Sequence, residues 1–350
     1  MEQLEQMIKE GKIESVLRLL KDGIDPNVKV GIYDNPLECA FDFRQYEIAK
    51  LFIEYGAEIN DKKNPAFVNA AHGEPSLFEY LFQKGANINA ISHVGHSALS
   101  RAIAFENISG AIALVEMGID IIEIGGKSLR DAAWGGHFVI VKLLVEHGAD
   151  VNFNGKDQVF PYCTTPVQMA ASGNHFEIVK YLIEHGADVT IRDKYGDRAF
   201  LEAKRNKNKE MMEYIKQFEP PIWHEADKRA EELKKMGMPA DIVKWLGTEN
   251  RRIDLPGTSP TEYVEFETIF DVKPIEWRGR IFLDFTKEVE GYGGTGFIIW
   301  IPDQKCLGSF DIEHEELFIF EGVKWSKFIK KLPVVVSHVL DGLPIDELYN

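Results

Sequence analysis

The sequence predicts a multidomain chain: an all-α solenoid of repeated helix pairs, followed by an α+β domain built on an antiparallel sheet. Three observations carry this reading. A phrase of glycine, then alanine or isoleucine, then a short polar or apolar triplet recurs six times in the first 190 residues. The recurrence stops at Glu219-Pro220-Pro221. Beyond it, short aromatic and β-branched segments are separated by turn residues.

The phrase reads Gly23-Ile-Asp-Pro-Asn27, Gly56-Ala-Glu-Ile-Asn60, Gly85-Ala-Asn-Ile-Asn89, Gly118-Ile-Asp-Ile-Ile122, Gly148-Ala-Asp-Val-Asn152 and Gly186-Ala-Asp-Val-Thr190. Its glycines lie 33, 29, 33, 30 and 38 residues apart. Glycine just past a helix takes positive φ without a Cβ clash, so each glycine is expected to close a helix. Upstream of it runs an apolar stripe at helical spacing, as in Phe138–His147 and Phe176–His185. Before the stripe comes a helix-opening signal: Asn35-Pro36, Asn64-Pro65, His96-Ser97, Lys127-Ser128 and Thr165-Pro166. Small pairs follow (Ala70-Ala71, Ala132-Ala133, Ala170-Ala171), which let stacked helices approach closely.

A phrase of this kind at this period resembles the ankyrin repeat, whose unit is a turn plus two helices. The resemblance covers residues 1–218 and implies seven units and a role in binding rather than catalysis. The first, residues 1–25, is a polar N-terminal cap. The last, 191–218, carries Lys204-Arg-Asn-Lys-Asn-Lys-Glu210 and is expected to be a solvated C-terminal cap. In the third unit Pro75 is expected to start the second helix.

Composition narrows the classes. Hydrophobic content of 45% with 27% charged residues fits globular domains and leaves about 130 residues for a second core. No stretch approaches ~18–20 uncharged apolar residues, so no membrane span is expected, and the acidic N-terminus is not a signal peptide. Three scattered cysteines (Cys39, Cys163, Cys306) exclude a disulfide framework and point to a reducing cytoplasm, with Cys39 as buried filler. Residues 219–350 hold 16 Lys and Arg against 25 Asp and Glu, a net charge of −9 out of the chain's −16. Both halves therefore repel nucleic acid, and an acidic surface speeds capture of a basic partner.

The second domain, 222–350, opens with helices expected over Trp223–Met236 and Pro239–Leu246. Strands are expected over Arg280–Phe285, Gly296–Ile301, Cys306–Phe310 and Glu316–Glu321, and helices again over Trp325–Leu332 and Val334–Leu340. Helices flanking strands argue for helices packed on one face of an antiparallel sheet. The run Phe297–Asp303, Leu307-Gly-Ser-Phe310, Glu316–Phe320 and Trp325-Ser-Lys-Phe-Ile329 resembles the C-terminal half of the SUKH superfamily. That resemblance implies an immunity-type protein that binds and neutralises toxin domains, as its bacterial members do. Leu255-Pro256 matches the family's early Leu-Pro, but no Asn-Gly pair follows. Another α+β interaction domain fits the same residues.

No catalytic residue, cofactor or metal site emerges. Gly291-Tyr-Gly-Gly-Thr-Gly296 lacks the Lys-Ser/Thr and the following helix of a phosphate loop. His224-Glu225 has no second histidine at zinc-protease spacing and reads as a solvated helix start. His147 and His185 fall beside helix ends, where imidazole satisfies terminal carbonyls. Asp311-Ile-Glu-His-Glu-Glu316 supports three readings: a solvated turn, a contact for a basic partner, or a metal or catalytic site. Asp284, Glu288 and Glu290 would extend it into one acidic edge.

The candidate protein-binding residues are Trp134, Phe160, Tyr162, Phe43 and Phe105 in the array, and Asp311, Glu313, Glu315 and Glu316 in the second domain. Phe160 and Tyr162 sit on the longest tip, 154–165, where aromatic residues are interface anchors or fold back over their own loop. The expected function is non-catalytic protein binding to a basic partner, with no nucleic acid or membrane partner. The alternative is an enzyme whose site lies in the second domain, addressed to its substrate by the array; a convergent polar pocket would mark it.

Overall fold

A computed structural model describes residues 2–156, 162–257, 259 and 261–340. Its contacts fall into two compact bodies, Met1–Asp188 and Val189–Asn350.

In the first body six helix pairs follow one another: Glu2–Lys9 with Ile13–Lys21, Pro36–Asp42 with Tyr46–Glu54, Ala66–Asn69 with Pro75–Gln83, Ala98–Ala104 with Ile108–Glu116, Ile121–Trp134 with Phe138–Glu146, and Pro166–Ser172 with Phe176–Glu184. The six phrase glycines have φ between 84 and 94°. At five of them an added Cβ would meet nothing within 4 Å, so backbone conformation, not space, demands glycine. Ala57 N–H reaches Phe52 O at 2.9 Å and Gly56 N–H reaches Ile53 O at 3.1 Å, the paired bonds of a Schellman ending. His147 and His185 face the carbonyls of Leu143 and Tyr181 at 2.7 Å, at the helix ends where the sequence put them.

The asparagine that closes most copies of the phrase has a use that spacing alone does not reveal. Asn60 donates to Gly85 O (3.0 Å) and accepts from Asn87 N–H (2.7 Å). Asn27 makes the same pair of bonds to Gly56 and Glu58, and Asn152 to Gly186 and Asp188. Each asparagine thus ties its own phrase to the next one along.

Capping follows the sequence at Asn35, Ser97 and Thr165, the last two as reciprocal capping boxes. Pro75 starts its helix. Two starts differ. At Asn64-Pro65 the helix begins at Ala66, with Pro65 as the cap, and the Asn64 amide instead donates to Asp34 at 3.2 Å. At Lys127-Ser128 no helix begins at all. A single helix runs through from Ile121 to Trp134, capped by Asp120, which accepts from Glu123 N–H. This is the copy in which Ile122 stands in place of asparagine. Gly125 and Gly126 let the extra turn pack: a Cβ there would lie 3.1 Å from Ala149 Cβ and 2.8 Å from Phe153. In the helix Phe138–Glu146 the fully buried stripe is Ile140, Val141 and Leu144, with Leu143 half-buried.

Among its described residues the second body holds the helices Ala199–Arg205, Lys209–Lys216, Ala226–Lys235 and Ala240–Leu246, eight strands, and the helix Trp325–Leu340. The strands are β1 Arg252–Asp254, β2 Tyr263–Phe266, β3 Lys273–Trp277, β4 Arg280–Asp284, β5 Thr286–Val289, β6 Ile299–Ile301, β7 Cys306–Asp311 and β8 Glu316–Phe320. They form two antiparallel sheets rather than the single one expected, ordered β1-β2-β5 and β3-β4-β6-β7-β8. The chain changes sheet at Phe285, where Asp284 accepts from Thr286 N–H at 3.1 Å. Four strands escaped the sequence reading because they are short; β1 and β5 are also largely polar, and β3 contains Pro274. The closing helix is continuous through Pro333, although two segments were expected; Phe328, Leu332, Val335 and Val336 bury one stripe across the proline. That stripe, Trp325 and the helix residues Leu233, Ile242 and Leu246 share a core with Phe266, Phe285 and Trp300. A smaller core of Ile275, Phe282, Ile299 and Phe310 is covered in part by Tyr195. No helix among the described residues is long and apolar enough to cross a membrane.

Candidate interaction surfaces

The repeat geometry places Phe43 and Phe105 at equivalent points, each just past the end of the first helix of its pair. Each is followed by a positive-φ residue, Arg44 and Glu106, so the ring sits at a bend where the chain leaves the helix. Phe105 is 39% exposed. It stacks on His72 with centroids 3.6 Å apart, under the Arg101 guanidinium at 4.7 Å. Burial, with Arg44 and Arg101 beside it, holds His72 below the usual histidine range, so a neutral ring stacks there. Phe43 is half-buried against Tyr33 and Lys9. Trp134 ends its helix 55% exposed, and its carbonyl accepts from His175 at 3.0 Å. His72 and Arg101 were missed in sequence; His72 lies three residues before the second helix of its pair, as Phe43 and Phe105 do before theirs, and Arg101 lies one turn before Phe105, on the helix Ala98–Ala104.

At the long tip, Tyr162 is half-buried, and Phe160 lies outside the described residues. Arg130, fully buried, holds both ends of the tip by donating to Gly155 O (2.7 Å) and Thr164 O (3.2 Å).

In the second body the acidic run is the hairpin turn between β7 and β8, closed by the Asp311–Glu316 pair. Asp311 accepts from the N–H groups of Glu313 (2.9 Å) and His314 (3.0 Å) and from the His314 ring (2.8 Å). That bond raises the His314 pKa. Glu315, at φ 56°, accepts from Trp277 Nε1 (3.4 Å) and Arg278 (3.0 Å), which lower its pKa. Glu313 accepts from the Tyr195 hydroxyl at 3.1 Å. Among the described residues no three His, Cys, Asp or Glu side chains converge as metal ligands. The extended edge does not form. Asp284 is fully buried, and Glu288 sits on β5, in the other sheet, where it accepts from Tyr263 at 2.9 Å.

The buried charges lie elsewhere in this body. Arg198 and Glu219 pair at 2.5 Å with almost no exposure, and His224 adds a bond to Glu219 at 2.7 Å. His224 is thus held inward and is not a solvated helix start. The run expected to be a solvated cap is also engaged: Lys204 pairs with Asp271, and Arg205 with Asp197 (2.7 Å) and Glu202 (2.5 Å). Beside them opens a cavity of about 570 Å³, bordered by Lys204, Glu267, Thr268, Asp271, Lys273 and Thr295. Burial, and then Asp271, push Glu267 up to about 8. Burial disfavours the Lys273 charge, but Asp284 and Asp197 outweigh it and hold the ammonium above the usual lysine range. Lys273 donates to Thr295 at 3.2 Å as a cation. It is no base for that hydroxyl, and the cavity therefore lacks an activated nucleophile on this pair. The Cys39 thiol, fully buried, is pushed up to about 12 by burial and is filler, not a nucleophile.

A sequence model described as Ankyrin repeats (3 copies) matches residues 66–155 and 129–222. Over residues 66–222 the chain is thus similar to ankyrin repeats. Over 115 residues, 31% of this chain, the sequence is 31% identical to the Transient receptor potential cation channel subfamily A member 1 homolog of Caenorhabditis elegans; the match spans 9% of that protein's length. A solved structure, the ankyrin repeat domain of Bcl-3, described as a unique member of the IkappaB protein family, is similar over 61% of this chain and 97% of its own, at 21% identity and a TM-score of 0.47.

Proposed function

We propose that this chain is a non-catalytic protein that binds another protein, with its array a solenoid running to Phe218 and its α+β domain beginning near residue 222. The carrying observation is the exposed pair at first-helix ends, Phe105 on His72 with Trp134 beyond, because large exposed rings favour a partner over solvent. The finer form is neutralisation of a basic protein, of the immunity type. The acidic charge of both halves and a sheet followed by an aromatic-led helix, as in the SUKH superfamily, support it. Unpaired cysteines support a cytoplasmic location.

The test is a pull-down from the source cell with the wild type and with Phe105→Ser plus Trp134→Ser. The expected result is loss of a captured partner with an unchanged melting temperature. A partner that survives both changes removes the array face from the interface. A basic partner would also associate more slowly with Glu313→Gln plus Glu316→Gln, with a flatter salt dependence.

A further inference from the structure

A second concavity of about 570 Å³ lies in the second body beside the acidic hairpin. Tyr195, Tyr292, Phe297, Phe310 and Phe318 supply its rings, and Asp311 and Glu313 supply its carboxylates. No Lys or Arg is among the residues that line it. Tyr292 stands 58% exposed on a loop closed by the Val289–Gly293 bridge, between Gly291 and Gly293 at φ 81 and 74°. Glu313 spends Oε1 on the Tyr195 hydroxyl, and Oε2 makes no hydrogen bond among the described residues.

We infer that this groove is a receptor for an arginine or lysine side chain of a basic partner segment. A long cationic side chain has apolar methylenes and a charged tip. The rings can cover the methylenes and present their faces to the cation, while the second oxygen of Glu313 accepts from the tip and Asp311 adds its negative charge beside it. An anion would meet two carboxylates, and an uncharged apolar segment would cover Glu313 Oε2 without offering it a donor. Charge complementarity therefore selects a basic occupant. The inference rests on the basic-partner reading and places its recognition in one groove.

The test titrates the full chain with a Gly-Ser-Arg-Ser-Gly peptide, its lysine counterpart and its citrulline counterpart, followed by amide chemical shifts. Arginine and lysine peptides are expected to shift the resonances of Tyr292, Ser309 and Phe318 saturably, and citrulline is not. Tyr292→Ala and Glu313→Gln are each expected to weaken binding about fivefold, and Glu231→Gln, an exposed residue of the helix Ala226–Lys235 that does not line the groove, to leave it unchanged. Unsaturable shifts spread over the acidic surface, or equal binding of citrulline, overturn the inference. So does binding that appears only after Leu343, Ile345, Leu348 and Tyr349 are changed to Ser, since the groove would then seat the chain's own C-terminal segment. A partner captured by the wild type and held equally by Tyr292→Ala plus Glu313→Gln refutes the groove and leaves the protein-binding reading intact.

Discussion

The two bodies are held together by different means. In the first, fully buried side chains are almost all apolar, and polar bonds repeat: glycine at positive φ, asparagine to the next phrase, histidine to a helix end. In the second, Arg198, Glu219, Arg229, Lys273, Asp271 and Asp284 are all at most 4% exposed. Arg229 donates to the carbonyls of Ile269 (3.1 Å) and Val272 (2.8 Å), pinning a helix to the chain between β2 and β3. A repeated body builds stability from many equivalent small steps. A body with one irregular core concentrates it in a few ion pairs, each of which is costly to break because its partner stays buried.

Breaking one such pair should give the largest effect. Glu219→Ala leaves Arg198 buried without its counter-ion and should cost ~3–5 kcal/mol in urea unfolding. Five of the six tryptophans lie in the second body, so fluorescence in a Trp134→Phe background reports it. A loss under about 1 kcal/mol would mean that water reaches Arg198 and that the two bodies differ little in this respect.

In the repeat body, Leu144→Ala should cost ~2–5 kcal/mol, because Leu144 is fully buried and its neighbours cannot close the cavity. Leu143→Ala should cost less, since that side chain is half-buried. Circular dichroism melts of both variants measure the gap, and the reverse order would contradict the packing of this helix.

The bodies should also differ in pH response. Asp193 is raised to about 7, by burial and then by Asp197, and Glu267 to about 8. A carboxyl raised on folding favours the folded state while protonated. That contribution is full below the unfolded carboxyl range near ~4 and is lost as pH rises through about 7 to 8. The second body's urea midpoint should therefore fall between pH 5.5 and 8.5. Asp193→Asn plus Glu267→Gln should flatten the slope, and an unchanged slope would assign it to other groups.

Next in size is the asparagine bridge. Asn60→Ala removes two bonds to the following phrase and should cost ~1–2 kcal/mol, read as a lower melting temperature. Trp134→Ser, at a half-exposed ring, should move folding by less than about 0.5 kcal/mol. A large loss there would make the row structural.

Much of the first body was legible because its signals are local. Gly56 closes a helix whatever its neighbours do, and the caps at Asn35 and Thr165 act within three residues. Legibility failed at Lys127-Ser128, where a helix capped by Asp120 runs straight through. The aromatic row was legible as Phe43, Phe105 and Trp134, while His72 joins it only once the repeats are superposed in space. In the second body the apolar strands β4, β6, β7 and β8 could be read, but β1, β2, β3 and β5 could not, because their residues earn strand geometry only by pairing with one another.

The sequence by itself determined the repeat period, the helix ends, the apolar stripes and the acidic hairpin. Each follows from residues a few positions apart, whose backbone preferences and periodicity act before any tertiary contact forms. Only the tertiary structure decided which charges are buried. Lys204 meets Asp271 across 67 residues and Tyr195 meets Glu313 across 118. A lysine or carboxylate is solvated by default, and nothing in its own neighbourhood announces a distant counter-ion. Burial of such groups is set by the partner, and the partner is set by the fold.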